Sequence, residues 1–301
     1  MYLDIFGKIR ENLEKPSKLK RPNLLAINPS GQVCYDLSTD KQVGSCLRQV
    51  WLDKTNHPKS STISLKARMA AFSGNWWEDW FINQLQQVGI YEDSQFIASD
   101  PSRYMKGLVD VSITNPSTGE LELIEVKTYD GSNYTTAQAI LGNRTKRPSP
   151  KISHLLQAFR YLMVYKDEVK AINLCYIDRS CGDWYKYKQF RITFTEVNGN
   201  LYPLIETNWN GEYHSYTEMS VSSDGIDKAE LKLIDALMSN TIPMKEYIQE
   251  YTVEEIEAKY RLGEIPKYAY DKWVKDPVNN PIGDYQCRYC AFNNGACNSY
   301  D

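Results

Sequence analysis

Past Gly89 the hydrophobic period of this chain changes, and the change restricts the folds open to it. Upstream, from about Ser64 to Val88, the apolar residues of "AAFSGNWWEDWFINQLQQVG" recur at helical spacing and stop at Gly89, which predicts a long helix. Downstream, in "YMKGLVDVSIT", Val109, Val111 and Ile113 alternate with Leu108, Asp110 and Ser112, the period of a strand. "NPSTGE" supplies Pro and Gly for a turn. "LELIEVKTY" returns as a second strand, with Ile124 and Val126 on one face and Glu125 and Lys127 on the other. Residues 128–150 are polar and longer than most connections in a compact domain, so they read as a functional loop. A helix follows in "ISHLLQAFRYLMVYK", then strands in "KAINLCYID" and "YKQFRITFTE". The last third reads as mostly helical, as in "DKAELKLIDALMS" and "TVEEIEAKYRLG", and "GSCLRQVWLDK" near the start reads as a helical turn or two. The order helix, strand, strand, helix, strand predicts an α/β fold: a mixed sheet flanked by helices.

Composition narrows the class. The chain has 301 residues, 42% of them hydrophobic, enough to bury a core. No apolar run reaches the roughly 18 residues of a membrane span, and "MYLDIFGKIRENLEK" is charged throughout, unlike a signal peptide. A cytoplasmic protein with no membrane contact is expected. The net charge of −3 excludes a generally basic surface, so any nucleic acid must be met by a local patch. The seven cysteines follow no regular framework spacing, which favours thiols or metal ligands over disulfides.

Glu125 and Lys127 are two apart on a strand and so leave the same face, and Asp110 projects from the neighbouring strand of the hairpin. Converging carboxylates suit hard cations such as Mg²⁺ or Mn²⁺. A lysine beside them can orient or activate a water, which is the equipment for metal-assisted phosphodiester hydrolysis. The plain alternative is a solvated strand face carrying a Glu–Lys pair.

The same residues resemble the motifs of the PD-(D/E)XK nucleases, and within them the RecB-like branch. "GLVD" at 107–110 resembles the G-x-x-D strand and "EVK" at 125–127 the E-x-K strand. "QAFRY" carries Gln157 and Tyr161 in the Q-x-x-x-Y pattern, four apart on one helical face. "GNWWE" is similar to the helix motif G-x-x-H-E, with Gly74 and Glu78 matching and Trp77 standing where the histidine is usual. These motifs occur in the family's order across roughly 90 residues. The resemblance implies a restriction-endonuclease-like core at 64–195 within one nuclease domain, 1–301. It also implies Glu78, Asp110 and Glu125 as Mg²⁺ or Mn²⁺ ligands, Lys127 as the group acting on water, and Gln157 and Tyr161 as supports of the site.

Near the end stands "CRYCAFNNGAC", with Cys287, Cys290 and Cys297 spaced C-x2-C-x6-C, one ligand short of the usual four. The resemblance supplies a fourth. The CRISPR-associated Cas-four family, the AddB nuclease domain and eukaryotic exonuclease V hold an iron–sulfur cluster with one upstream cysteine and three C-terminal ones. "SCLRQVWL" matches the upstream stretch and gives Cys46, with Cys34 as the rival ligand and zinc as the rival occupant. A 4Fe-4S cluster would then staple residues 34–60 to 225–301. Bridging Cys46 to Cys287 closes a loop of about 240 residues, worth roughly 5 kcal/mol of unfolded-state freedom. Cys175 and Cys181 flank a predicted strand end and read as packing residues.

From Lys127 to Lys151 the chain carries Lys127, Arg144, Lys146, Arg147 and Lys151 against one acid, Asp130. "NRTKRPSPK" is a candidate for phosphate contacts, and Tyr129 and Tyr134 for base stacking. A loop pinned at both ends beside the site could roof it and admit one strand. His154, one turn before Gln157, reads as a cap or packing group; His57 and His214 carry no signal. The expectation is a metal-dependent deoxyribonuclease acting on single-stranded ends. With no G-x-x-x-x-G-K-[ST] loop the chain has no motor, so a helicase or recombination partner would open duplexes. The alternatives are a nuclease that trims prespacers in CRISPR adaptation and a non-catalytic DNA-binding or assembly subunit. Oligomeric state is not legible.

Overall fold

The structure is a computed structural model that describes residues 27–60, 65–103, 105–132, 134–180, 186–288, 290–293 and 295–298. In chain order the elements are β1 (Val33–Asp36), β2 (Lys41–Gly44), α1 (Leu47–Lys54), α2 (Leu65–Val88), β3 (Tyr91–Asp100), β4 (Met105–Thr114) and β5 (Leu121–Tyr129). Then come α3 (Tyr134–Leu141), α4 (Ile152–Val164), β6 (Ala171–Asp178), β7 (Lys188–Val197), β8 (Asn200–Trp209), β9 (Glu212–Thr217), α5 (Ser223–Met238), α6 (Val253–Arg261) and α7 (Lys267–Lys275). The chain divides into two compact units, one of Met1–Gly44 and Ile63–Leu231, the other of Ser45–Thr62 and Lys232–Asp301. The sequence reading drew the second group as 34–60 with 225–301 and ended the sheet core at 195. β8 and β9 extend the sheet instead, and β1 and β2, a two-stranded sheet of their own, belong to the same first unit.

The first unit is a mixed α/β structure. Its seven strands follow one another in chain order from β3 to β9. Every pair is antiparallel except β5 and β6, which run parallel. A parallel pair needs a long crossover, and α3 and α4 provide it. Alternation along β5 assigns the two faces. Leu123 packs with Leu155, Phe159 and Leu162 of α4, whereas Ile124 and Val126 pack with Leu85, Trp77 and Phe81 of α2. Helices therefore flank both faces of the sheet.

β4 departs from the predicted alternation. Val109 joins the cluster under α4, while Val111 and Ile113 join that under α2. Ladder pairing with β5 runs only from Thr114↔Leu121 to Val111↔Ile124. The strand thus switches face at Asp110, where its pairing with β5 stops.

The sequence reading missed three strands of the sheet. β3 is a mostly exposed edge strand with a weak apolar period. β8 and β9 carried a clearer signal. Asn198-Gly199 (φ 54° and 79°) joins β7 to β8, and Asn210-Gly211 (φ 52° and 85°) joins β8 to β9. Each is a two-residue loop, with Val197↔Asn200 and Trp209↔Glu212 closing the ladders. Asn-Gly tolerates two successive positive φ values and is the strongest short hairpin signal. The stretch 128–150 is not one long loop, because α3 occupies Tyr134–Leu141.

In the second unit, α1 is held by Trp51, whose Nε1 donates to the Ala236 carbonyl at 3.2 Å. α6 begins with a capping box. The Thr252 hydroxyl accepts the Glu255 N–H and the Glu255 carboxylate accepts the Thr252 N–H. Tyr260 of α6 stacks on Tyr270 of α7 at 3.9 Å. Among the described residues no helix is long and apolar enough to cross a membrane.

Candidate active site and cysteine cluster

Asp110, Glu125 and Lys127 come together where β4 leaves β5. The Asp110 Oδ2 accepts the Val126 N–H at 2.8 Å, so the carboxylate replaces the missing main-chain acceptor. Glu125 faces α4 and is 1% exposed. Its Oε1 accepts bonds from Lys127 Nζ and from Gln157 Nε2, the latter at 2.7 Å. Its Oε2 is buried and has no hydrogen-bond partner among the described residues. Glu78 of α2 accepts a bond from Gln95 of β3, a residue the motif reading did not single out.

Gln157 and Tyr161 share a face of α4, as their spacing of four predicts. The Tyr161 hydroxyl donates to the Leu108 carbonyl at 2.5 Å, which ties α4 to the start of the Asp110 segment. That contact explains the glycine of "GLVD": a Cβ on Gly107 would lie 2.8 Å from the Tyr161 hydroxyl oxygen. Trp77, at the usual histidine position, packs in the cluster under α2.

The carboxylates work against one another. Burial and the nearby Asp110 push Glu125 up to about 8. Burial, with Asp110 second, pushes Glu78 up to about 7. Asp110 is also raised by burial, against the opposing pull of Lys127 and the Val126 N–H. Three desolvated carboxylates sharing one site, with the buried Glu125 Oε2 left without a hydrogen bond, form a donor set suited to a hard cation. Among the described residues no group of three such side chains already has the spacing of a closed metal site.

His154 is a packing group. Its Nδ1 lies 2.9 Å from the Tyr176 hydroxyl, and burial, with Lys127 and Lys151 adding to it, pushes its pKa down to about 3. Tyr129 does not offer a stacking face. It is 2% exposed and its hydroxyl donates to the Lys186 carbonyl at 2.7 Å. The side chain of Tyr134 and the whole of Cys181 lie outside the described residues.

Arg144, Lys146, Arg147 and Lys151 are exposed. Their turn is fastened to β8 and β9. The Trp209 Nε1 donates to the Asn143 carbonyl at 2.7 Å, and the Arg147 guanidinium lies 3.4 Å from the Tyr216 ring centroid. Both anchors sit on strands the sequence reading did not place.

In the second unit the cysteine thiols act on one another. Burial raises Cys46 to about 11, against the backbone N–H groups of Gln49 and Arg48 and with Cys290 and Cys297 contributing. Burial raises Cys287 to about 12, with Cys46, Cys290 and Cys297 contributing. Arg48 of α1, 5% exposed, donates to the Cys297 carbonyl at 3.1 Å and lies 4.0 Å from its sulfur. The Cys290 sulfur accepts the Phe292 N–H at 3.5 Å. Four thiols with a buried guanidinium and a backbone donor suit a metal or cluster that carries negative charge through its thiolates. Cys34 lies in the first unit instead. It is fully buried in the sheet core, and its thiol has the carbonyls of Tyr35, Ser220 and Ser222 within reach as acceptors for its one proton. Cys175 is a β6 residue packed against the cluster under α2.

No protein-family model matches the chain, and no curated protein is significantly similar to it.

Proposed function

We propose that the chain is a metal-dependent deoxyribonuclease of the PD-(D/E)XK type, acting on single-stranded DNA ends. The observation that carries this reading is the grouping of half-buried Glu78 and Asp110 with buried Glu125 beside Lys127, the Glu125 Oε2 left without a hydrogen bond. The three carboxylates would hold Mg²⁺ or Mn²⁺, which when bound polarises a phosphate and lowers the pKa of a water.

The protein's own groups perform the rest. Lys127 Nζ, half-buried against Glu125, orients the attacking water and balances charge on the phosphate. Gln157 fixes the Glu125 carboxylate from α4, and Tyr161 holds the Asp110 segment through Leu108. Exposed Arg144, Lys146, Arg147 and Lys151 meet phosphates without reading bases. In the second unit, Cys46, Cys287, Cys290 and Cys297 would hold a 4Fe-4S cluster, and the reading favours this over zinc. The cluster would join segments 45–62 and 232–301. Degradation of DNA would then belong with recombination, repair or prespacer trimming, with duplex opening left to a helicase partner.

A second reading is a non-catalytic DNA-binding subunit of the same fold, which draws on Trp77 packing where a histidine is usual. Incubation with linear and closed circular single-stranded DNA separates the two. The nuclease reading expects linear DNA to be degraded in Mn²⁺, untouched in chelator, and circles to be spared. Binding without cleavage in both Mg²⁺ and Mn²⁺ would favour the non-catalytic subunit.

A further inference from the structure

Six non-glycine residues among those described take a positive φ. Five are Asn or Asp, which enter the left-handed region most readily, and they stand in turns or just after helices. The sixth is Gln95, with φ 55°, and it lies inside β3. A side chain of that size seldom adopts such a φ, and outliers of this kind cluster at functional sites, where the surrounding structure holds them.

The ladder shows what imposes it. Ser94 pairs with Val111 and Phe96 with Val109, so the register runs through and Gln95 stands opposite Asp110 without pairing to it. Asp110 is also where β4 changes face and where its pairing with β5 ends. β3 makes the same change. Ser94 lies 3.0 Å, hydroxyl to hydroxyl, from Tyr91 of the cluster under α2, whereas Phe96 packs with the cluster under α4. Residues two apart on a strand ordinarily share a face. The left-handed backbone at Gln95, between them, lets β3 follow β4 through the switch.

A glycine would take this φ freely. The chain instead places a long amide there, and that amide is used. Gln95 Nε2 donates to the Glu78 Oε1 across to α2. Each of the other two proposed ligands is likewise held by a nitrogen donor: Asp110 by the Val126 N–H and Glu125 by Gln157 Nε2. Gln95 completes the set.

We propose that Gln95 is a positioning residue of the metal site: the left-handed turn of β3 opposite Asp110 aims its amide at Glu78 and fixes that carboxylate toward the other two. This rests on the nuclease reading and deepens it. Groups that orient a metal ligand are typically worth roughly 10–100-fold in metal affinity or activity.

The test is a Mn²⁺ titration of the full chain, read by electron paramagnetic resonance of the free ion, for wild type, Gln95→Gly and Gln95→Asn. Both replacements accept the left-handed backbone, but glycine has no amide and that of asparagine stops one methylene short of Glu78. Both variants should melt within about 2 °C of wild type and bind Mn²⁺ about tenfold more weakly. With a single-stranded oligonucleotide, kcat at limiting Mn²⁺ should fall about tenfold and recover as Mn²⁺ is raised, while KM for the DNA stays unchanged. Wild-type Mn²⁺ affinity in both variants, at any Tm, would make Gln95 a backbone feature only and overturn the proposal. Weakened Mn²⁺ binding in both variants, together with a wild type that binds the ion and cuts no DNA, would overturn the nuclease reading and leave the role of Gln95 standing. A wild type that binds no Mn²⁺ would overturn both.

Discussion

Asp110 accepts the backbone N–H of Val126 at 2.8 Å, so a side-chain carboxylate stands where the β4–β5 ladder would have placed a carbonyl. The residue is therefore structural as well as a proposed ligand. Asp110→Ala would leave the Val126 donor unpaired, at a cost of about 1–3 kcal/mol, or a Tm lower by about 2 °C or more. Asp110→Asn keeps an acceptor oxygen and should melt close to wild type. Both variants should lose cleavage. Calorimetry of the pair separates the two roles.

The raised carboxylates give the metal-free protein a pH dependence with a definite sign. Glu125 at about 8 and Glu78 at about 7 keep protons in the folded state that the unfolded chain releases near its ordinary value of about 4.5. The folded state then binds more protons than the unfolded one across this window, so these groups make stability fall as pH rises from about 4.5 to 8. A bound cation takes the place of those protons. Saturating Mn²⁺ should raise Tm by about 5 °C or more at pH 8 and by much less at pH 5. Equal shifts at both pH values would place the cation elsewhere.

The cysteine assignment separates two buried thiols only twelve residues apart in sequence, Cys34 in the sheet core and Cys46 in the helical unit. Protein purified without oxygen should be brown, with about four irons per chain. Cys46→Ser should lose the iron, and Cys34→Ser should keep it. Stoichiometric zinc with no iron would contradict the cluster.

The basic turn is fastened by Trp209 and Tyr216, so its charges are presented without a large ordering cost. Changing Arg144, Lys146 and Arg147 together to Ala should weaken single-stranded DNA binding alike for all sequences. It should also flatten the slope of log K against log salt by about 2, near 0.7 per lost phosphate contact. An unchanged salt slope would remove the turn from the interface.

Local periodicity made the hairpin of β4 and β5, the long α2 and the Gln157–Tyr161 helix readable, because each buries one face and repeats accordingly. It could not show that β4 switches face at Asp110, since a bend caused by ladder breakage leaves no period. The edge strand β3 has too little buried surface to produce one. The two Asn-Gly turns were visible, and they would have extended the sheet through β9 and revealed Trp209 and Tyr216 as anchors. Tyr129 misled because a strand tyrosine has the same sequence signature whether it faces a base or, as here, the core under α4. Long-range partners such as Gln95 with Glu78, or Arg48 with Cys297, have no local signature at all.

The most direct measurement is single-turnover cleavage of a labelled linear single-stranded oligonucleotide by wild type, Glu125→Gln and Lys127→Ala, each with Mn²⁺ and with chelator. Wild type should cut only with metal. Both variants should bind the oligonucleotide about as tightly as wild type and cut it at least about 100-fold more slowly, the loss expected of groups acting in the transition state. Cleavage by Lys127→Ala or Glu125→Gln at the wild-type rate, or wild-type cleavage that persists in chelator, would contradict the assignment of this site.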